Sequence, residues 1–246
     1  MIRHSYTNAI DGEKKVSNFL LSHFYKKFKN KYPTVKKNTD KDTQIKGIDY
    51  LVTIGAKEYS IDEKAAITYP AVYNTSTNKI ENHSLPTFAF ELFTGINAFN
   101  TNDGWLFNKN TVTDFYSINW IYLLNIDAKM NDYVNWWKHP SYILDYVENY
   151  LISAEQIKKL ITYFFDNEHR YNPEISSEML STPIKLKEFF DSIEINKSNN
   201  SRKEYKFESE PRVKLTQSLY RKECPINIVI KKDILSNIAI NKHFVK

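Results

Sequence analysis

Glycine, cysteine and long apolar runs are scarce in this sequence, and each scarcity excludes a class of protein. The 246 residues include five glycines and neither a GxGxxG nor a GxxxxGK[ST] pattern, so a glycine-rich phosphate loop is not expected. The single cysteine, Cys224, excludes a disulfide within the chain and a zinc site built on several cysteines. No stretch of about 18 apolar residues occurs and the N-terminus lacks a signal-peptide core, so we expect a cytoplasmic protein without a membrane partner.

Aromatic and basic side chains are, by contrast, abundant. Aromatic residues make up 15% and hydrophobic residues 41% of the chain, which is enough for a sizeable core and argues against disorder. Lysine and arginine outnumber the acids 34 to 29, for a net charge of +5. This charge permits nucleic-acid binding without requiring it.

The first part of the chain has the pattern of a helix followed by strands. Apolar residues at helical spacing predict a helix from about Asp11, a plausible N-cap, to Phe28. Alternating patterns predict strands over residues 48–54 and 59–66, joined at Gly55 as a β-hairpin. Further strands are predicted at 87–93, 105–108, 113–122 and, late in the chain, 226–230.

After Met130 the pattern becomes mainly helical. A capping box at Ser153–Gln156 predicts one helix, and others are predicted near 183–193 and 233–239. The order of elements indicates an α/β fold. We expect one domain over residues 1–246, with an α/β core at 11–125 and a mainly helical extension at 130–246 packed on that core.

The chemistry is expected at the hairpin, where two aspartates and a lysine recur on neighbouring strands. Side chains alternate along a strand, so Asp62 and Lys64 lie on one face and Glu63 on the other. Folding the first strand back at Gly55 brings Asp49 beside Asp62. Two carboxylates suit Mg²⁺, which would lower the pKa of a water and neutralise phosphate charge, while Lys64 would position the water or stabilise charge. The alternative is a solvated strand face with ordinary charge pairs.

These residues also carry a family resemblance. The segments Gly47–Asp49, Tyr59–Ala65 and Phe88–Glu91 resemble the PD-(D/E)xK, or restriction-endonuclease-like, nuclease superfamily, over about residues 11–122. The resemblance implies a core of helix, β-meander, helix and strand, with a mixed central sheet flanked by helices. It implies that Asp49 and Asp62 bind Mg²⁺ or Mn²⁺ and that Lys64 is catalytic. The sequence departs from the pattern in having Ile48, not proline, before Asp49.

Two glutamates are second-rank candidates for the catalytic site. Members of this superfamily often place a glutamate on the first helix, where Glu13 shares a face with Val16 and Leu20. The alternative for Glu13 is an acid in the first helical turn, favoured by the helix dipole. Glu91 lies inside an apolar strand, where it either supports the site or is a structural acid with its own partners.

Polar and basic residues near the hairpin are candidates for nucleic-acid contacts. Gln44 precedes the first strand and could contact phosphate. A basic stretch could follow the phosphate backbone, or could be only a solvated helix end and loop, and it consists of Lys26, Lys27, Lys29, Lys31, Lys36 and Lys37.

The sequence therefore predicts a metal-dependent nuclease with DNA as its preferred partner, and a homodimer would suit cutting of two strands. The alternative is a catalytically silent nucleic-acid- or protein-binding module on the same fold.

Overall fold

The computed structural model describes residues 6–26, 35–97, 100–130, 132–193, 202–219 and 224–246. Helices and strands both occur along this part of the chain, as in an α/β fold. In chain order the helices and strands are α1 (Tyr6–Leu20), β1 (Val35–Lys37), α2 (Lys41–Ile45), β2 (Tyr50–Ile54), β3 (Lys57–Ala65), β4 (Ala71–Asn74), β5 (Lys79–Asn82), β6 (Thr87–Asn97), β7 (Asn100–Asp103), β8 (Phe115–Asn125), β9 (Tyr142–Ser153), α3 (Ala154–Glu168), α4 (Pro183–Ser192), β10 (Arg202–Lys206), β11 (Val213–Ser218), β12 (Ile226–Lys231), α5 (Lys232–Ile238) and β13 (Asn241–Val245).

The chain forms two compact units, each assembled from separate stretches of sequence. The first unit comprises residues 1–86, 113–153 and 239–246, and the second comprises residues 87–112 and 154–238. None of the helices that the structure describes is long and apolar enough to cross a membrane.

The first unit is built on a mixed eight-stranded sheet with β8 in the middle. Strands β3 and β4 both run parallel to β8 and follow one another along the same edge of it. Strand β9 runs antiparallel along the other edge, from Phe115 opposite Ser153 to Asn125 opposite Tyr142. The sheet continues outward through β2 and β1 beyond β3, through β5 beyond β4, and through β13 beyond β9.

Helix α1 packs its apolar side on one face of this sheet. Val16 and Leu20 are buried there, and a π-helical turn over Leu21–Tyr25 places the Tyr25 ring against Tyr50, 4.1 Å between ring centroids. Burying each such side chain contributes roughly 1.5–3 kcal/mol. The helix thereby fixes the hairpin β2–β3 against it.

The second unit contains a five-stranded antiparallel sheet in the order β10-β11-β12-β6-β7, together with helices α3, α4 and α5. The end of α3 is held to the segment after β10 by Glu168, which is fully buried. Its carboxylate accepts hydrogen bonds from the Tyr205 hydroxyl at 2.7 Å and from the Ser209 amide at 2.9 Å and hydroxyl at 2.7 Å.

The α/β class, the mixed sheet and the hairpin match the sequence-based prediction, but two predicted elements differ. The first helix begins at Tyr6, so Asp11 is not its N-cap, because residues 6–10 continue the helix. Residues 105–107, predicted to be strand, form a turn that follows the close approach of Gly104 to β6.

The predicted division at residues 125–130 also differs from the observed one. Strand β6 pairs with β12 in the second sheet instead of joining the meander of β2 and β3. Residues beyond 130, predicted to be mainly helical, contribute β9 and β13 to the first sheet and β10, β11 and β12 to the second. The pairings of β6 with β12 and of β9 with β13 join segments distant in sequence, which local periodicity does not reveal.

Candidate active site

Asp62 and Lys64 form an ion pair on β3. Lys64 Nζ lies 2.9 Å from Asp62 Oδ1, and the side chains are 29% and 4% exposed, respectively. The alternation of the strand places both on one face, as expected from their spacing. The pair is therefore largely removed from water. In such surroundings a charge needs a partner of opposite sign.

Asp49 lies next to this pair, immediately before β2. Its backbone is held on both sides, since its amide donates to the Ile61 carbonyl at 2.9 Å and its carbonyl accepts from the Asn38 amide at 2.8 Å. Its carboxylate accepts the backbone N–H of Glu63 at 2.7 Å. The hairpin thus brings Asp49 to the edge of the Asp62–Lys64 pair with its carboxylate orientation fixed by the main chain.

The charges of the three side chains influence one another strongly. Burial raises the pKa of Asp62 to about 7, repulsion by Asp49 and a hydrogen bond to it add to the rise, and Lys64 opposes it. Burial by itself would lower the pKa of Lys64, but attraction to Asp62, Asp49 and Glu13 outweighs burial and raises it. Lys64 is therefore a cation at neutral pH.

Glu13 on α1 joins the same cluster. The residue as a whole is exposed, yet partial loss of water around its carboxyl group raises its pKa, with Lys64 lowering and Asp49 raising it. Since α1 begins at Tyr6, Glu13 is not a first-turn acid, and the helix-dipole explanation for it does not hold. With all groups ionised, the carboxylates of Asp49, Asp62 and Glu13 and the ammonium group of Lys64 carry a net charge of −2.

This set of donors suits a hard divalent cation. Asp49 and Asp62 offer carboxylate oxygens, and their mutual repulsion in a site with little water would be relieved by a dication. As positioned, no group of three or more histidine, cysteine, aspartate or glutamate side chains in the described part of the chain is arranged to hold a metal. A cation would thus be held by the two aspartates with water completing its coordination, as Mg²⁺ commonly is.

The site is supported by residues that the sequence did not single out. Asp114 Oδ2 accepts hydrogen bonds from the Ser60 amide at 2.8 Å and hydroxyl at 3.0 Å, and Thr113 Oγ1 donates to the Gly47 carbonyl at 2.7 Å. Tyr116 lies opposite Asp62 in the register of β3 and β8, and burial followed by the Asp62 charge raises its pKa. The parallel pairing of β3 with β8 creates these contacts, and no local sequence motif predicts that pairing.

Glu63 points to the opposite face, as the alternation predicts. Burial raises the pKa of Glu63 to about 8, and the hydroxyls of Ser17 and Tyr25 lower it only in part. Its Oε1 atom is buried and has no hydrogen-bond partner within the described residues. Glu63 therefore contributes to the site through its backbone N–H, not through its carboxyl group.

Glu91, the other second-rank candidate, belongs to the second unit. It lies on β6, opposite Asn227 of β12, and it has interactions within the protein.

The structure describes Gln44 and three of the six lysines that were predicted to contact nucleic acid. Lys26, Lys36 and Lys37 are exposed, and Lys37 Nζ donates to Ser17 Oγ at 3.3 Å. Gln44 lies on α2, where its Nε2 donates to the Asn38 carbonyl at 2.8 Å, so its amide already serves the local fold. The remaining lysines of the basic stretch lie outside the described residues, and these are Lys27, Lys29 and Lys31.

Comparison with known proteins found no family model, no curated protein and no solved structure that matches this chain.

Proposed function

We propose that the first unit is a metal-dependent nuclease that hydrolyses phosphodiester bonds, with DNA as the preferred substrate. The observation that supports it most is the cluster of Asp49, Asp62 and Lys64, in which a buried carboxylate, a second carboxylate and a charged lysine meet on one face of the sheet. A buried ion pair alone adds little to stability, since desolvation offsets its attraction. A catalytic role explains why such a set is kept in one place.

Each residue of the cluster would have its own role in phosphodiester hydrolysis. Asp49 and Asp62 would hold Mg²⁺ or Mn²⁺, which when bound lowers the pKa of water and neutralises phosphate charge. Lys64 is a cation at neutral pH, so it would stabilise the negative charge that grows on the phosphate rather than remove a proton. Glu13 has a pKa raised by burial and interacts electrostatically with Lys64 and Asp49, so it would be the candidate to accept a proton from water.

The PD-(D/E)xK assignment is part of this proposal. Helix α1 with Glu13, the hairpin with Asp49 and the Asp62–Lys64 pair are arranged in the order that the resemblance implies. The parallel strand β8 beside β3 gives the mixed sheet that the superfamily would require. A homodimer that cuts both strands of a duplex is a further element of the proposal.

The proposal is tested by incubating plasmid, linear and single-stranded DNA with the full chain, with Mg²⁺, Mn²⁺ or EDTA. Wild type is compared with Lys64→Ala and with Lys129→Ala, an exposed lysine in an Asp127-Ala-Lys129 triplet of the same spacing. We expect metal-dependent cleavage that Lys64→Ala lowers at least a hundredfold, since one electrostatic stabiliser is typically worth that much. Lys129→Ala should cut like wild type.

Two results would contradict the nuclease. Absence of cleavage by wild type with every metal and substrate would favour the silent binding module. Equal cleavage by wild type and Lys64→Ala would show that the Asp62–Lys64 pair is structural and that any activity lies elsewhere.

A further inference from the structure

A pocket of about 430 Å³ lies at the far end of the first sheet, where β4, β5, β8 and β9 meet. Its walls include the side chains of Tyr73, Tyr122 and Tyr146, with Asn82, Ser84 and Asp145 as polar neighbours. Pockets of this volume hold ligands of the size of a nucleoside.

The register of the sheet lines up aromatic rings across adjacent strands. Tyr122 lies opposite Tyr146, and their rings stack at 4.0 Å between centroids with 12° between planes. Tyr73 on β4 is 38% exposed and Phe244 on β13 is 71% exposed. The Phe244 ring lies 6.4 Å from the Tyr146 ring, so an aromatic row runs through β8, β9 and β13, and Tyr73 of β4 lines the same pocket.

The Tyr122 ring is held in place before any ligand arrives. Its hydroxyl donates to Glu148 Oε2 at 2.9 Å, and the Tyr150 hydroxyl donates to Glu148 Oε1 at 2.8 Å. On the β4 side, Ala71 lies opposite Tyr122 and lines the pocket beside it. A fixed ring beside open space is a pre-organised surface for a flat ligand.

An irregularity in the pairing adds a carboxylate to the pocket. Tyr122 pairs with Tyr146 but Leu123 pairs with Leu144, so Asp145 is an extra residue on β9. A β-bulge of this kind re-aims a side chain that would otherwise point to the opposite face. Asp145 thus lines the pocket beside the tyrosines.

The pocket lies on the same sheet face as Asp62 and Lys64. Tyr116 is opposite Asp62, and Tyr122 follows it by six positions, so both tyrosines share that face at a separation of about 20 Å along β8. Ile118 and Trp120 between them are buried, so the pocket is a separate site and not an extension of the acid–lysine cluster.

From this geometry we infer that the pocket binds an unpaired nucleobase of a single-stranded nucleic acid, stacked on the tyrosines and hydrogen-bonded through an exocyclic amino group to Asp145. Aromatic rings exposed on a sheet are the usual platform for unpaired bases. A carboxylate accepts from a base amino group, as in cytosine or adenine, and disfavours the carbonyl oxygen of thymine. The inference rests on the proposed function in that both concern one polynucleotide substrate.

The test measures binding of fluorescein-labelled single-stranded oligo-dC, oligo-dT and a blunt duplex to the full chain in EDTA, at one fixed salt concentration, by fluorescence anisotropy. We expect Tyr146→Ala and Tyr73→Ala each to weaken single-strand binding about tenfold and to leave duplex binding unchanged. Tyr146→Phe keeps a ring and should bind like wild type. Tyr163→Ala, at an exposed tyrosine on α3 outside the pocket, is the control.

The same experiment tests the role of Asp145 in choosing between bases. Wild type should bind oligo-dC more tightly than oligo-dT, and Asp145→Ala should abolish that preference. Unchanged single-strand affinity in both Tyr146→Ala and Tyr73→Ala would overturn the inference, as would equal losses for single strand and duplex.

The two proposals fail in different ways. Cleavage lost in Lys64→Ala, together with wild-type single-strand binding by the tyrosine variants, would leave the nuclease standing and reject the base pocket. Weakened single-strand binding in Tyr146→Ala, with no cleavage by any form, would reject the nuclease and support the pocket.

Discussion

At the scale of single residues, Asp62 shows how burial and neighbouring charges together set the pKa of a side chain. Its environment keeps the pKa of its carboxyl near 7, about the pH at which most enzymes work, because burial and Asp49 oppose ionisation while Lys64 favours it. The alternation of a strand is enough to predict that Asp62 and Lys64 meet. It does not predict their burial, which depends on what covers the strand.

Gly104 is a residue whose importance comes only from packing. Its amide donates to the Leu92 carbonyl at 2.7 Å, and a Cβ atom at this position would lie 2.2 Å from the Glu91 backbone oxygen. We expect Gly104→Ala to lower the free energy of unfolding by about 3 kcal/mol, because β6 would have to move. Urea denaturation checks this value.

The matched control for Gly104→Ala is Gly55→Asn in the β2–β3 turn. Gly55 has φ +64°, with no atom within 4 Å of the position its Cβ would take. Asparagine tolerates this conformation, so the change should cost less than about 1 kcal/mol. Equal stability of Gly104→Ala and wild type would show that the close approach of the two backbones is not rigid.

At the scale of elements, buried polar side chains tie segments together where apolar contacts alone would not specify them. Asn149 on β9 donates to Ser117 Oγ and to Asn119 Oδ1 on β8, both at 2.7 Å. The Glu168 carboxylate likewise ties the end of α3 to Tyr205 on β10 and to Ser209 after it. Such contacts favour one register over its neighbours.

The Glu168 anchor makes stability depend on pH. Burial alone would raise its pKa, but the hydrogen bonds from Tyr205, Ser209 and Glu208 lower it below the ordinary value of 4.5. The charged form is therefore favoured in the folded state, and its contribution is present above about pH 4.5 and is lost as the pH falls through the lowered value.

Replacing Glu168 by glutamine tests this anchor, because an amide NH₂ would face the donors of Ser209. We expect Glu168→Gln to lower the free energy of unfolding by about 2 kcal/mol near neutral pH. The difference from wild type should shrink near pH 3, because below the ordinary pKa the unfolded wild type takes up the proton and the stabilisation from the lowered pKa is progressively lost. Urea denaturation at both pH values measures it, with Glu155→Gln, exposed in the first turn of α3, as control. A pH-independent difference would mean that shape, not charge, matters at this position.

At the scale of the whole molecule, two sheets are assembled from interleaved stretches of the chain. Residues 87–112 leave the first unit to pair with β12, and β8 returns to it. A sequence-based boundary at residues 125–130 therefore cuts through both units.

A fragment of residues 1–125 should not fold by itself. It would deprive β8 of all eleven of its pairings with β9, and β6 of its partner β12. Unpaired edges of that length favour aggregation over a stable sheet. We expect no cooperative thermal transition by circular dichroism, in contrast to the full chain. A sharp transition with native-like strand content would show that the predicted core is autonomous.

The sequence by itself determined what depends on local periodicity and turn chemistry. The hairpin around Gly55, the shared face of Asp62 and Lys64 and the opposite direction of Glu63 all follow from the two-residue period of a strand. Helices α3 and α4 and strand β12 were likewise predicted close to their observed positions, because capping and apolar spacing are encoded within a few residues.

Only the tertiary structure decided what depends on contacts between distant segments. The parallel pairing of β3 with β8 placed Tyr116 opposite Asp62, and the pairing of β8 with β9 created the tyrosine pocket with Asp145. Strand β9 was not predicted at all, and β6 was assigned to the wrong sheet. The physical reason is that the register and the partner of a strand depend on which side chains are buried against its neighbours in the sheet. The sequence of one strand does not contain that information.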